Sequence, residues 1–322
     1  MKGTDYAYAV ARIRANESKL LSSAMLDEVV AAASYDKAVD VLRARDWVRT
    51  DDTDVSALIA AQSEALWVLM RESVTDKNAL AVLTALNDFY NVKAALKSML
   101  TGVNPKPYYV QPTLLDLDAL TDAVSRHAFD KLEEPLATAA KQAYEAATRT
   151  ESGQSADVII DAATLRCLSK QARETDCELL GDILRFVCDS TNLKVALRCA
   201  RTGKDLSFVE SAVGPCHHID RDALCAAAVQ GEAQLLQLLA AGTYRTGAEA
   251  LKKSSTAFEK WCDDSVIELC KGAKYEFFGF APIAAYYFAK TTEIKTVRIV
   301  LSAKQAGVPN DIIRERVRDL YV

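Results

Sequence analysis

Apolar residues in this chain recur at the spacing of one helical face. Leu235, Leu236 and Leu239, and again Ile183 and Val187, fall three or four residues apart with polar positions between them. The period-two alternation of a half-buried strand is nearly absent. The pattern therefore predicts an all-α fold, and the makeup of the chain agrees. Ala, Leu, Lys, Glu, Gln and Arg, all strong helix formers, dominate it. Glycine and proline together supply only 19 of 322 residues, and no proline occurs before Pro105.

The same pattern returns along the chain. Asn91-Val92-Lys93-Ala94-Ala95-Leu96-Lys97 reappears as Asn192-Leu193-Lys194-Val195-Ala196-Leu197-Arg198, an offset of 101 residues. A second step of 101 lands on Glu293-Ile294-Lys295-Thr296-Val297-Arg298. Gly102 and Gly203 share the offset, each placed where a glycine ends a helix in the left-handed conformation. Self-similarity at a fixed period marks a repeat architecture. It predicts three tandem helical units at 1–106, 107–208 and 209–322. Each should restart on a polar cap: Asp116 or Asp118 before Leu120, Asp220 before Leu224, and Asn310 before Ile312 and Ile313. Tyr8 to Arg14 followed by Ser22-Ser23-Ala24-Met25-Leu26 has the same order at the other end. Gly102 to Pro112 and Gly214-Pro215 are the expected linkers, and Thr150 to Ser155 an expected loop.

Half the residues are apolar and 26% charged, the balance of a globular protein with buried cores. Net charge is -5, which argues against nucleic acid as a partner, since phosphate recognition needs a concentrated basic surface. Phe277 to Ala289, the longest uncharged apolar-rich stretch, falls well short of the roughly 20 residues that cross a bilayer. The start, Met1 to Tyr6, runs into a helical pattern without an apolar h-region, so no signal peptide and a cytoplasmic location are expected. The eight cysteines contain no C-x-x-C pair, and Cys167, Cys177, Cys188 and Cys199 recur at near-helical multiples; buried reduced thiols are expected.

No phosphate-binding G-x-x-x-x-G-K-[ST] occurs, and Gly242 to Gly247 has the spacing without the lysine and hydroxyl. G-x-G-x-x-G, H-E-x-x-H and G-x-S-x-G are missing as well. Cys216-His217-His218 with Cys225 would strain a tetrahedral metal site and reads better as a capping loop. Asp51-Asp52-Thr53-Asp54 and Asp263-Asp264-Ser265-Val266-Ile267-Glu268 invite comparison with the magnesium-binding aspartates of all-helical isoprenoid enzymes. The first reads as a helix-capping loop, and the second lacks a matching aspartate one turn on. No cofactor or metal is expected.

Charge placement stands out more. Lys93 and Lys97 lie at i, i+4, and Lys194, Arg198 and Arg201 at i, i+4, i+7, each set beside an apolar stripe. Lys295 keeps the register, while Arg298 falls one position early. In an acidic chain, such repeated basic ridges can be plain solvated faces or a socket for an acidic partner.

These residues carry a family likeness. Tyr6 to Ala15, the three Asn/Glu-x-Lys helices, and the segment from Phe278-Gly279-Phe280-Ala281-Pro282 through Glu293 to Val300 and on to Arg314 to Val322 resemble the C subunit of prokaryotic V/A-type ATPases, whose eukaryotic relative is the d subunit. The resemblance implies a funnel of three similar helical domains with pseudo-three-fold symmetry. It implies a non-catalytic rotor part, held peripherally at the membrane through the complex, with the central-stalk subunits and the membrane rotor ring as partners. On that basis Lys93, Lys97, Lys194, Arg198, Lys295 and Arg298 are expected to line the stalk socket. An exposed apolar patch is expected toward the ring. Phe277, Phe278 and Phe280 are candidates for it, although filling the third core is the preferred reading for them. A helical scaffold of some other assembly, or a magnesium-dependent helical enzyme, are the alternatives.

Overall fold

The computed structural model describes residues 6–48, 53–150 and 153–322. Among these residues it contains sixteen α-helices and no strand. In chain order they are α1 (Ala7–Glu17), α2 (Ser23–Ala31), α3 (Tyr35–Ala44), α4 (Val55–Ser73), α5 (Lys77–Thr101), α6 (Leu117–Ser125), α7 (Leu136–Thr150) and α8 (Gly153–Glu174). There follow α9 (Glu178–Arg201), α10 (Leu206–Ala212), α11 (Arg221–Gln230), α12 (Glu232–Ala241), α13 (Arg245–Lys253), α14 (Ser255–Lys271), α15 (Ala281–Gln305) and α16 (Asn310–Arg316). The chain is all-α, as the periodicity predicts.

Local chemistry sets the helix starts. Ser22, Asp116 and Asp220 each accept a hydrogen bond from a first-turn backbone N–H of α2, α6 and α11, the caps expected from sequence. Asn310 departs from expectation. It is the first residue of α16 itself, behind Pro309, and its Oδ1 takes Lys304 Nζ at 3.1 Å. Gly102 and Gly203 do end their helices with positive φ, +71° and +60°. Val103 N reaches Ser98 O and Lys204 N reaches Cys199 O, the closing bonds of a Schellman turn. The loop expected over 150–155 is shorter: α7 runs to Thr150 and α8 already begins at Gly153, while Glu151 and Ser152 lie outside the described residues.

Two compact units form. One takes the described residues of Met1–Thr75, Cys177–Ile183 and Arg245–Val322; the other takes Asp76–Asp176 and Leu184–Tyr244. The core of the second joins Phe89, Val92 and Leu96 of α5 to Leu120 and Val124 of α6, Ala139, Ala140 and Ala143 of α7, and Ile160 of α8. The alanine face of α7 lets α5 and α8 approach closely. Each large aliphatic buried there contributes about 1.5–3 kcal/mol. In the first unit α15 is the central element, packed by α14, α4 and α1, with Ile283, Val297, Val300 and Leu301 fully buried.

The repeat has a buried signature. Asn91 and Asn192 are fully enclosed and Glu293 nearly so. Asn91 donates from Nδ2 to Val110 O (3.0 Å) and accepts from Val110 N (2.8 Å). Asn192 donates to Pro215 O (2.8 Å) and accepts from Gly214 N (2.8 Å). Glu293 accepts from Leu21 N (2.6 Å) and from Trp47 Nε1 (2.8 Å). In every case a long helix clamps the backbone of the loop that leads into a capped short helix: α6, α11 and α2. Three residues earlier the register repeats as Asp88, Asp189 and Lys290, all buried. Asp189 accepts from His217 N (2.8 Å), His218 N (2.9 Å) and Tyr244 Oη (2.9 Å).

Candidate functional site

The long helices α5, α9 and α15 bury their clamp residues on one side and carry the ridge cations two residues on, on another face, because i and i+4 share a face while i+2 does not. What those cations meet differs from helix to helix. Lys93 Nζ lies 2.6 Å from Asp161 and Lys97 Nζ lies 2.8 Å from Asp157, two carboxylates one turn apart on α8. Lys295 Nζ takes both oxygens of Asp263 on α14, at 2.7 and 2.9 Å. Lys194, Arg198 and Arg298 are exposed and carry no ion pair among the described residues. Arg201, the next member of the α9 ridge, is held by Glu232 on α12 at 2.8 and 2.9 Å. That hydrogen bond draws the Glu232 carboxyl below its usual range. Lys93, Lys97, Lys194 and Arg198 belong to one unit, Lys295 and Arg298 to the other.

Asp157 and Asp161 are the residues that sequence reasoning missed. Their signal was present, since acids at i, i+4 on α8 match lysines at i, i+4 on α5, but only the packing of α5 on α8 pairs them.

The acid and thiol clusters are engaged elsewhere. Asp263 also takes Arg318 Nε at 2.8 Å, and Asp264 accepts from Lys260 Nζ (2.6 Å) and Asp319 N (2.8 Å), so the pair anchors the segment after α16. Burial raises the pKa of Asp264. Asp54 caps α4, while Asp51 and Asp52 lie outside the described residues. Cys216, His217 and His218 form the loop wrapped around Asp189, and burial pushes the Cys216 thiol up to about 12. The cysteines are free thiols; Cys188, Cys199, Cys225, Cys262 and Cys270 are buried, while Cys167, Cys177 and Cys216 are half-buried. Among the described residues no group of three or more His, Cys, Asp or Glu is placed to hold a metal ion. A cleft of about 410 Å³ beside α11 and α12 is lined by alanines, Leu238 and the amides of Gln230, Gln234 and Gln237.

The aromatic segment before α15 splits. Phe280 is core, its ring 5.4 Å from that of Tyr6. Phe277 and Phe278 are 68% and 69% exposed, which overturns the preferred core reading for those two. The backbone just before them is tied down by Arg14, which donates to Ala273 O (2.8 Å) and to Glu276 O. No helix among the described residues is long and apolar enough to cross a membrane.

The described residues thus show exposed cations on α9, two exposed phenylalanines before α15 and carboxylates that join helices. The sequence profile of the ATP synthase (C/AC39) subunit family matches residues 9–316, and the chain belongs to that family. It is 25% identical to the C subunit of the V-type sodium ATPase of Enterococcus hirae, over 96% of this chain and 97% of the relative. It is 26% identical to the C subunit of the A-type ATP synthase of Methanocaldococcus jannaschii, over 96% of this chain and 85% of the relative. The family likeness read from the residues is borne out, and the C subunit of these ATPases is non-catalytic.

Proposed function

We propose that this chain is the central-stalk coupling part of a V/A-type rotary ATPase, a socket that joins the central shaft to the membrane rotor ring during ion transport. The match over residues 9–316 carries the reading. In this reading the three repeats at 1–106, 107–208 and 209–322 are arranged as a funnel about a pseudo-three-fold axis. Lys93, Lys97, Lys194, Arg198, Lys295 and Arg298 line its socket, and Phe277 and Phe278 offer apolar surface to the ring. The partners are the stalk subunits and the ring, and the chain sits at the membrane surface through the complex. A part that transmits torque needs helices that resist shear. Three helices of 25, 24 and 25 residues, each about 36–38 Å long and pinned near its middle by a buried clamp, supply that stiffness.

The test mixes the purified chain with the two stalk subunits of its own ATPase and follows size-exclusion chromatography. Co-elution as a one-to-one-to-one complex is the expected result. Separate elution at low salt overturns the proposal.

A further inference from the structure

The three ridges that repeat along the chain are not equivalent once their neighbours are considered. On α5, Lys93 and Lys97 are neutralised by Asp161 and Asp157. On α15, Lys295 is held by Asp263, and the position four residues on is Ile299. On α9, Lys194 and Arg198 are exposed, one turn apart, and without an ion pair among the described residues. The register supplies the reason. Counting 101 residues forward from Asp157 and Asp161 gives Phe258 and Cys262, and counting 101 back gives Ser56 and Ala60. The acid pair that neutralises α5 therefore has no counterpart in the other two repeats. Arg198 lies in the last turn of α9, where the helix dipole favours positive charge, and Lys194 one turn before it. Arg298 is also exposed and unpaired among the described residues, but it stands alone beside the occupied Lys295.

We propose that Lys194 and Arg198 are the gripping part of the ridges, and that they take a pair of carboxylates one turn apart on a helix of the shaft. This rests on the coupling role proposed above and narrows it to one helix and one partner chemistry. Cations at i, i+4 match acids at i, i+4, the Arg198 fork taking one carboxylate with two parallel bonds and Lys194 acting as a point charge. Lys93 and Lys97 already share their charge with Asp161 and Asp157, and an acidic partner meets those two carboxylates there as well, so they gain less from a new partner. The grip is consequently one-sided, which lets a chain built from similar repeats hold an asymmetric shaft in one orientation.

The experiment compares K194Q/R198Q with K93Q/K97Q for binding to the two stalk subunits at low and high salt, with thermal unfolding as a check on each variant. Weakening of tenfold or more at low salt by K194Q/R198Q, with a flatter salt dependence and an unchanged melt, is expected. K93Q/K97Q should weaken binding less than K194Q/R198Q does. Equal weakening by both pairs, or none by K194Q/R198Q while the wild-type chain binds, overturns the one-sided grip and leaves the coupling role standing. A wild-type chain that fails to bind the stalk subunits overturns the coupling role itself.

Discussion

Asn192 and Glu293 occupy the same place in the repeat and solve the same problem with different chemistry. Each sits near the middle of a long helix and must hold the backbone of a loop in a buried setting. The amide carries a donor and an acceptor, so Asn192 satisfies Pro215 O and Gly214 N at once and brings no charge into the core. A carboxylate only accepts. Glu293 consequently collects donors from three directions: Leu21 N, Trp47 Nε1 at 2.8 Å, and Lys290 Nζ at 2.5 Å. Lys290 also lies over the Trp47 ring, 5.4 Å from its centre. The position in the helix is preserved while the loop it grips changes, from one about twenty residues downstream to one at the N-terminal end of the chain. The neutral clamp closes a local connection, whereas the ionic clamp ties together segments 272 residues apart.

The comparison breaks most sharply at Glu293. Glu293→Ala leaves the Lys290 ammonium buried without its carboxylate and strips Leu21 N and Trp47 Nε1 of their acceptor. A loss of about 3–5 kcal/mol in urea unfolding is expected. K290M/E293Q should recover part of it, because the uncompensated charge leaves together with its partner. If the double variant is as unstable as Glu293→Ala, charge compensation is not what holds this clamp.

Asn192→Ala tests the neutral form. Both buried backbone groups lose their partner, but no charge is left stranded, and an expected cost of about 2–3 kcal/mol places it below Glu293→Ala. Equal losses at the two positions would show that the difference in chemistry has no energetic consequence.

Much of this was readable in the residues, and the clamps show where reading stopped. The offset of 101 identified Asn91, Asn192 and Glu293 as equivalent because helical register survives divergence. Gly102 and Gly203 fell in the predicted left-handed positions because few other residues adopt them without cost. Burial was harder to see: an asparagine flanked by a lysine two positions on looks like surface until the backbone it binds is in place. The α5–α8 ion pairs were only half legible, since the acids and the lysines each fall at i, i+4 but packing alone brings Lys93 to Asp161. Phe277 and Phe278 misled in the opposite sense. Composition places phenylalanine in a core, yet Gly279, at φ +80°, precedes α15 and only Phe280 turns inward to meet Tyr6.

The smallest expected effect lies at the loop side of the neutral clamp. Gly214, whose N–H is the one Asn192 holds, packs so closely on α8 that an added Cβ would lie 2.7 Å from Leu165 Cβ and 2.8 Å from its Cδ1. Gly214→Ala keeps both hydrogen-bonding groups and changes only the space, so its cost isolates packing from polarity. Leu165 is buried, and its Cβ is fixed by the helix backbone; the loop must therefore shift, lengthening the 2.8 Å bond to Asn192. A loss of about 1–2 kcal/mol is expected, at the lower end for an overpacked core, because one methyl group is involved. In the background of Asn192→Ala the loop is no longer held, and the same substitution should cost measurably less. A double-mutant cycle reads that coupling directly, and strict additivity would mean that the clamp does not set the loop's distance from α8.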